Sequence, residues 1–304
     1  MVSGNRMQSR MSFGGNGWTG MSAVNNLAAQ HEREVATGKR FRFGRNWARF
    51  LKRLNQARIA ESEKNLMEFL GKEALEGKAF LDVGSGSGLS SLAARRLGAA
   101  VTSFDYDGQS VACTEELRRR YLPDDPSWTI EHGSVLDMQY LAGLGQFDIV
   151  YSWGVLHHTG AMWQAMENVK PLVKIGGLLF IAIYNYCGEV SRWWLERKRR
   201  YNALSRALRP LYAIYVWMPQ ELRLLVGSMR AGELRTYVRE LTSATSGRGM
   251  SWLHDVIDWI GGYPYEYASV KDIVEFYRRD GFEPVKIREN RSYGCHQLVF
   301  GRVR

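Results

Sequence analysis

Residues 81–88 read Leu-Asp-Val-Gly-Ser-Gly-Ser-Gly, and this stretch decides the fold of the chain. It ends the short apolar run 79–83 and precedes the helical pattern 89–97, so it predicts a turn between a buried parallel strand and a helix. In such a turn free backbone N–H groups face a ligand, and glycine lets the backbone approach it closely. The glycine spacing differs from the G-x-G-x-x-G of dinucleotide-binding folds and from a P-loop, which ends in Gly-Lys-Ser/Thr. The turn therefore argues against nicotinamide cofactors and nucleoside triphosphates.

Strands and helices alternate along most of the chain. Short apolar runs predict strands, and apolar residues at helical spacing between glycine and proline breakers predict helices. The predicted strands are 79–83, 101–104, 128–131, 147–151, 177–183, 282–288 and 297–300, and helices are predicted at 89–97, 109–121 and 270–279. This alternation predicts an α/β fold, a doubly wound, seven-stranded and mostly parallel sheet with a helical insertion after the fifth strand. Ligands of such sheets bind outside the carboxyl ends of the strands.

The segments around this core differ in composition. Residues 1–25 are rich in Gly, Ser, Asn and Met without a period, so we expect them to be poorly ordered. A helical pattern then predicts an N-terminal helical element, with Asn46 as a helix cap. The resulting predicted segments are the N-terminal element 26–77, the ligand-binding core 78–186, the insertion 187–262 and the completion of the sheet 263–304.

The composition is that of a globular protein: 304 residues, 45% of them apolar and 24% charged. The three cysteines cannot pair completely and lack metal-ligand spacing, so we expect reduced thiols and no metal site. No apolar run approaches the roughly 20 residues that span a bilayer. The N-terminus shows no signal-peptide pattern, so a cytoplasmic protein without a membrane span is predicted.

The net charge of +10 is unevenly distributed. Residues 1–60 hold eleven Lys or Arg residues against Glu32 and Glu34. Such a segment points to an anionic partner. Contact with nucleic acid and a merely solvated basic face are both consistent with it, and the second is the commoner explanation.

The Asp-x-Gly-x-Gly-x-Gly pattern of residues 82–88 resembles motif I of the class I S-adenosylmethionine-dependent methyltransferases. The stretch 147–185 is similar to bacterial methyltransferases of the ubiquinone-biosynthesis O-methyltransferase group. Residues 258–264 and 293–296 resemble an uncharacterised bacterial subgroup. The resemblance implies a Rossmann-like methyltransferase fold, S-adenosylmethionine as the cofactor, and transfer of its methyl group.

The resemblance also implies roles for individual residues. The glycines would line the methionine and ribose portion of the cofactor, Asp82 would meet its amino end, and Asp105 would accept hydrogen bonds from both ribose hydroxyls. Residues 134–137 would lie near the adenine, and residues 152–153 near the sulfonium. The full set implied at the cofactor is Trp47, Asp82, Gly84, Ser85, Gly86, Gly88, Asp105, Tyr106, Ser134, Val135, Asp137, Ser152 and Trp153.

Three members of this set have other interpretations. Asp82 could serve only as a hydrogen-bond partner of neighbouring loops. Asp137 stands where a helix N-cap is expected. Trp47 either closes over the sulfonium through a cation–π contact or packs the N-terminal element against the sheet edge.

Two adjacent histidines, His157 and His158, follow the fourth predicted strand, at the rim where an acceptor would lie. Histidine titrates near neutral pH, which suits it to take a proton from a hydroxyl or amine. The sequence leaves open whether either histidine is catalytic or only braces the loop. Further candidates for acceptor contact are His254, Asp255, Asp258, Glu266 and His296.

The insertion contains five tryptophans and the basic cluster Arg197-Lys198-Arg199-Arg200. These residue types suit a flat, apolar or sugar-like acceptor, with a phosphate or carboxylate beside the cations. The alternative is an amphipathic helical pair whose aromatic residues form a core.

Together these observations predict an enzyme, a methyltransferase that acts on an oxygen or nitrogen of a small-molecule acceptor such as a secondary metabolite, a sugar or a quinol-like compound. Two alternatives stay open: an RNA methyltransferase that uses the basic N-terminal segment, and a catalytically silent protein that binds S-adenosylmethionine. No Asn/Asp-Pro-Pro-Tyr/Phe string follows the fourth strand, so the resemblance points away from methylation of DNA adenine or protein glutamine. Homo-oligomerisation stays open.

Overall fold

The computed structural model describes residues 17–71, 75–235, 252–290 and 294–304. Seven strands form one sheet in the order β3-β2-β1-β4-β5-β7-β6. They are β1 (Ala79–Val83), β2 (Ala100–Asp105), β3 (Trp128–His132), β4 (Phe147–Trp153), β5 (Val173–Tyr184), β6 (Phe282–Arg288) and β7 (Cys295–Arg302). The first five strands pair in parallel, while β7 runs antiparallel to both β5 and β6. The predicted seven-stranded, mostly parallel α/β sheet is confirmed.

Helices cover both faces of this sheet, because alternate residues of each central strand point to opposite sides. On β1, Leu81 and Val83 belong to one apolar core, whereas Phe80 belongs to the other. The helices that fill these layers are α2 (Gly44–Leu51), α3 (Gln56–Leu70), α4 (Leu89–Arg96), α5 (Gly108–Tyr121), α6 (Met138–Leu144), α7 (Met162–Val169) and α11 (Val270–Arg278). The strand order reverses between β1 and β4, which places a crevice at the carboxyl ends of these two strands.

The N-terminal element differs from its prediction. Helix α1 (Gly17–Ala36) begins inside the stretch expected to be poorly ordered, and residues 1–16 lie outside the described residues. Asn46 is not a cap, because α2 begins at Gly44 and Asn46 is buried within it. A second helix, α3, follows, and its cap is Asn55, whose Oδ1 accepts from the Arg58 N–H at 3.1 Å.

The predicted helical insertion after β5 is confirmed. It consists of α8 (Glu189–Ala203), α9 (Arg209–Ala231) and α10 (Trp252–Gly261). Their apolar core includes Trp194, Tyr201 and Ile260 and packs on Tyr184 at the end of β5. Within the described part of the chain, no helix combines the length and the apolar character that a membrane crossing needs.

Candidate functional site

A cavity of about 700 Å³ lies at the carboxyl edge of the sheet. Its walls come from the glycine turn after β1, the ends of β2 and β4, the loop after β3, and the N-terminal helices. Twelve of the residues singled out from the sequence line it: Trp47, Asp82, Gly84, Ser85, Gly86, Asp105, Tyr106, Ser134, Val135, Asp137, Trp153 and His158. Sequence positions spread over more than 100 residues thus converge on one site.

Three predicted site residues lie behind the cavity wall instead. Ser152 is fully buried, and its hydroxyl donates to the Val83 carbonyl at 3.0 Å, which ties β4 to β1. Gly88 precedes α4 with a φ of +78°, and a Cβ there would lie 2.9 Å from the Thr114 Cα. His157, discussed below, is completely buried. These positions shape the site without facing its interior.

The glycine turn has a backbone that only glycine adopts easily. Gly84 and Gly86 have φ values of +82° and +57°. A Cβ on Gly84 would stand 2.4 Å from Val155 Cγ1, so the following loop packs directly against the bare backbone. A Cβ on Gly86 would stand 3.0 Å from the Trp47 indole nitrogen. Trp47 therefore both packs on the turn and lines the cavity.

Asp105 holds the turn from the end of β2. Its Oδ2 accepts from the Gly86 N–H at 2.9 Å, and its Oδ1 accepts from the Asp107 N–H at 2.8 Å. Burial raises the pKa of Asp105 to about 7, although both hydrogen bonds oppose the rise. The carboxylate faces the cavity, so a cation or hydroxyl donor placed there would favour its charged form.

Asp82 presents a second carboxyl group at the same edge. It is almost fully buried, and its Oδ2 accepts from the Ser91 hydroxyl at 2.5 Å. Burial raises the pKa of Asp82 to about 7, against the lowering effect of Ser91. The local hydrogen bond considered from the sequence is therefore present, and the carboxyl group also lines the cavity.

The loop after β3 brings Asp137 to the far end of the cavity. Asp137 is the N-cap of α6, and its Oδ1 accepts from the Tyr140 N–H at 3.0 Å. The neighbouring Ser134 hydroxyl accepts from the Leu136 N–H at 3.2 Å. Asp137 therefore caps α6. Its carboxylate also lines the cavity, and the capping hydrogen bond fixes its orientation there.

Sequence reasoning missed Asp107, which joins three helices. It is the N-cap of α5, where Oδ1 accepts from the Gln109 N–H at 2.9 Å. Its Oδ2 accepts from the Gly44 N–H at the start of α2 at 2.8 Å. His31 of α1 places Nε2 3.7 Å from the same oxygen. An Asp before a helix was a visible capping signal, but its two other partners lie more than 60 positions away.

Arg40 was also missed, as the residue that ties the N-terminal element across the cavity. Its Nε lies 2.7 Å from Glu34 Oε2, and its Nη1 donates to the His158 carbonyl at 2.8 Å. The guanidinium lies 4.8 Å from the centre of the Tyr106 ring. Arg40, Glu34 and Tyr106 all line the cavity, so this contact joins α1, the end of β2 and the loop after β4 at one wall.

The two adjacent histidines have different environments. His158 lines the cavity, and its Nδ1 lies 2.5 Å from the Pro264 carbonyl oxygen. Since a carbonyl only accepts, this hydrogen bond requires the proton on Nδ1. The Phe43 ring packs 4.8 Å from the imidazole.

His157 has the opposite arrangement. Its Nδ1 accepts from the Tyr184 N–H at 3.4 Å, and its ring centre lies 4.0 Å from that of Tyr184 with the planes tilted by 43°. Burial, followed by the nearby His158 and Lys198, holds its pKa well below the usual histidine range. A neutral, enclosed imidazole of this kind braces the loop after β4.

Aromatic side chains form the rim of the cavity on the insertion side. Phe41 and Phe43 come from the segment before α2, Tyr184 ends β5, and Trp259 comes from α10. Cys295 at the start of β7 completes this aromatic rim. We refer to the part of the cavity lined by Asp82, Asp105 and Asp137 as its acidic end, and to the part lined by this rim as its aromatic end.

Other candidates from the sequence have structural contacts. Glu266 accepts from the Gly160 and Met162 N–H groups at 3.0 and 3.1 Å, and its own N–H donates to the His157 carbonyl. His296 Nδ1 accepts from the Asn290 N–H at 3.1 Å, and burial lowers its pKa. The side chains of His254, Asp255 and Asp258 lie outside the described residues.

Part of this chain is similar to known proteins. A family model described as a methyltransferase domain matches residues 81–181. A ubiquinone biosynthesis O-methyltransferase from Rhizobium leguminosarum bv. trifolii is 30% identical over 175 residues, 51% of this chain and 66% of the relative. A tRNA U34 carboxymethyltransferase from Pseudomonas savastanoi pv. phaseolicola is 32% identical over 148 residues, 47% of this chain and 44% of the relative.

Among solved structures, magnesium protoporphyrin IX methyltransferase from Synechocystis with bound SAH is 14% identical, with a TM-score of 0.48. That match covers 80% of this chain and 81% of the other. The chain spans 42%, 62% and 66% of the length of three curated ubiquinone biosynthesis O-methyltransferases that it matches.

Proposed function

We propose that this chain, a class I S-adenosylmethionine-dependent methyltransferase, transfers the methyl group to a hydroxyl or amine of a small aromatic acceptor, with His158 as the general base. The observation that carries this proposal is the orientation of His158. Its Nδ1–H is held by the Pro264 carbonyl in the same cavity that the glycine turn and Asp105 line. The acidic and aromatic ends of that cavity meet at this imidazole.

The residues at the acidic end fit S-adenosylmethionine, the cofactor of the family. The cavity of about 700 Å³ has the size of a small-molecule site. Asp105 would accept hydrogen bonds from the ribose hydroxyls, and Asp82 would lie at the amino end. The buried Asp82 and the half-buried Asp105 favour a cationic ligand, because its charge offsets the cost of ionising these carboxyl groups. Residues 134–137 would contact the adenine, and Trp47 would lie near the sulfonium.

When bound, the cofactor would supply a methyl group whose carbon bonds to the acceptor atom as its bond to the sulfonium sulfur breaks, with the neutral thioether as the leaving group. The main tasks of the protein are alignment and exclusion of water. Arg40 contributes to both, since it ties α1 to the loop that carries His158. Asp107 accepts from the Gly44 N–H and so holds α2 at the site. It thereby also holds Trp47, a residue of α2, over the glycine turn.

His158 removes the acceptor proton through Nε2. The Pro264 carbonyl accepts from Nδ1–H in both the neutral and the charged ring, and it stabilises the positive charge that forms. His157 does not share this role, because its enclosed, neutral ring hydrogen-bonds to the backbone of Tyr184. Proton transfer of this kind contributes about 10²- to 10⁴-fold to a rate.

The aromatic rim selects the acceptor class. Phe43, Tyr184 and Trp259 surround the end of the cavity beyond His158. Flat π-systems pack well against such rings, whereas a sugar would leave more of its hydroxyls without partners. A phenol or an aromatic amine has both a ring that packs against the rim and a proton that His158 can remove.

RNA methylation is the competing function, because one relative is a tRNA U34 carboxymethyltransferase and the N-terminal segment is basic. The described part of that segment uses some of its cations internally. Arg40 pairs with Glu34, and Arg42 pairs with Glu32. Because these arginines are paired with glutamates, less positive charge is left to bind the phosphates of an RNA. We therefore favour the small acceptor. Tight, salt-dependent binding of tRNA by the purified protein would reverse this choice.

The test combines binding with turnover. Calorimetry with S-adenosylmethionine should give binding that Asp105→Ala weakens at least about 100-fold, which is roughly 2.7 kcal/mol. Methyl transfer to a panel of phenols and aromatic amines should then fall about 10²- to 10⁴-fold in kcat for His158→Asn, with unchanged cofactor affinity. Asparagine can still donate to Pro264 but cannot act as a base.

His132→Asn is the matched control, because His132 also contacts a backbone carbonyl, that of Tyr106 at 3.0 Å. It should retain its activity. Cofactor binding without turnover on any acceptor would instead identify a silent binding protein. Full activity of His158→Asn would remove the base assignment while leaving the methyltransferase assignment intact.

A further inference from the structure

Helix α9 carries apolar residues on its outer side as well as on its inner side. Ala213 and Val216 are buried against the rest of the insertion. The opposite side presents a row of apolar residues at spacings of three and four, between 41% and 69% exposed. This row, called the outer stripe below, consists of Leu211, Ile214, Tyr215, Met218, Leu222, Val226 and Met229. A helix in contact with water alone would place polar residues there.

The outer stripe is the main concentration of exposed apolar side chains in the described residues. Ten of the 21 large apolar side chains that are exposed lie between Leu208 and Leu234. Scattered exposed apolar residues are normal, but a contiguous patch of this length marks an interaction surface. The helix is 23 residues long, or about 35 Å.

The same hairpin is strongly basic. Residues 189–235, which comprise α8, α9 and the segments that adjoin them, contain ten basic and four acidic residues, a net charge of +6 out of +10 for the chain. Arg223 and Arg230 each follow a stripe residue by one position, and therefore lie about 100° around the helix from it. Both side chains are exposed. Cations thus lie along one side of the apolar row on α9.

The apolar row and the adjacent arginines together restrict the class of partner that could cover α9. A second copy of the chain would bring the exposed Arg223 and Arg230 of two outer stripes together, which is unfavourable at the low ionic strength where such charges are least screened. An RNA would satisfy the arginines but would leave the apolar row in water. An anionic lipid surface satisfies both, because acyl chains accept the apolar row and phosphates attract the arginines.

We propose that α9 lies on an anionic phospholipid surface, with the outer stripe at the boundary between headgroups and acyl chains. The protein is then bound to the surface without crossing it, in agreement with the absence of a spanning helix among the described residues. The insertion that supplies Trp259 to the acceptor end of the cavity is therefore also the part that contacts lipid.

The test is co-sedimentation of the full chain with vesicles. The probes are phosphatidylcholine vesicles with and without added phosphatidylglycerol, at low and near-physiological salt. Binding should require phosphatidylglycerol and weaken with salt. Leu222→Gln together with Val226→Gln should lower the partition coefficient at least about tenfold, because two apolar side chains leave the acyl boundary. Glutamine keeps a good helix former at both positions.

The control variant is Ile175→Gln with Val285→Gln, which changes two exposed apolar residues outside the hairpin. It should bind vesicles like the unaltered protein. Thermal melts and S-adenosylmethionine binding should be the same for all three proteins, which separates loss of lipid binding from misfolding and from failure of the methyltransferase assignment.

Three outcomes would overturn the proposal. The first is no sedimentation with either vesicle type. The second is binding that the Leu222/Val226 substitutions leave unchanged. The third is a dimer in light scattering that these substitutions dissociate, since a second copy would then cover the outer stripe.

Discussion

The carboxyl edge of the sheet and the α8–α9 hairpin use their residues in opposite ways. At the edge, polar groups are buried and tied to backbone atoms, as Asp105 is to Gly86 and Asp107 is to Gly44. On the hairpin, apolar groups are exposed and lie along one side of α9. Each departure from the usual distribution costs free energy, and a bound ligand would offset that cost. The first ligand is small and cationic, and the second is proposed to be an extended anionic surface.

The largest effect is expected from a substitution that tests how tightly the glycine turn packs at the carboxyl edge of the sheet. Gly84→Ala should lower the free energy of unfolding by about 2–4 kcal/mol, because it adds a strained left-handed residue and a collision with Val155. Gly176→Ala is the control, since its φ of +78° is similar but nothing lies within 4 Å of the added Cβ. It should cost about 1 kcal/mol. Equal losses in denaturant titrations would mean that Val155 moves aside.

A smaller effect is expected at the junction of the N-terminal helices. Asp107→Ala should lower the free energy of unfolding by about 1–2 kcal/mol, because the α5 cap and the acceptor of the Gly44 N–H are both lost. It should also weaken S-adenosylmethionine binding. Ser269→Ala removes the cap of α11 on another part of the sheet and should reduce stability alone. If both variants bind the cofactor equally well, α2 is not held at the site by Asp107.

The acidic end should also give a pH dependence. Burial raises the pKa of both Asp82 and Asp105 to about 7, so each group takes up a proton as the pH falls from 8 to 6. The protonated form no longer attracts a cation, so the affinity for S-adenosylmethionine should fall, roughly tenfold for one such group. Calorimetry across this range measures the slope. Asp105→Asn should flatten it, and an unchanged slope would assign the dependence to another group.

The smallest effect is expected on the hairpin. Leu222→Gln with Val226→Gln should change the free energy of unfolding by less than about 0.5 kcal/mol in the absence of lipid, because both side chains are already in water. Val216→Ala, on the buried side of the same helix, should cost about 1–3 kcal/mol. A large loss for the glutamine pair would show that the outer stripe packs within the protein.

The fold was largely readable from the sequence. The turn 81–88 and the alternation of apolar runs predicted all seven strands, most of them to within two residues at each end. Strand β5 is the exception, because it begins at Val173, before the glycines that the prediction placed at its start. These local signals suffice because a buried parallel strand must be apolar on both faces.

The candidate site could be predicted from the sequence only where its residues contact others that are close to them in the sequence. Asn46 was expected to cap a helix, but α2 begins earlier because the Gly44 N–H finds its acceptor in Asp107, 63 positions away. The distinction between His157 and His158 depends on the Pro264 carbonyl, 106 positions further along. No sequence period reports such pairings, so only the structure separates the two rings.

The segment 264–266, which directly follows the insertion, contacts the loop after β4 at the site. The Pro264 carbonyl orients His158, and Glu266 holds the Gly160 and Met162 N–H groups and the His157 carbonyl. An exchange of insertions between relatives, made to alter the acceptor, must therefore carry these three residues with it. A graft that ended at Gly262 would leave the new acceptor pocket beside an imidazole whose orientation was set for the old one. With His158 as the proposed base, acceptor choice and proton transfer would be inherited together.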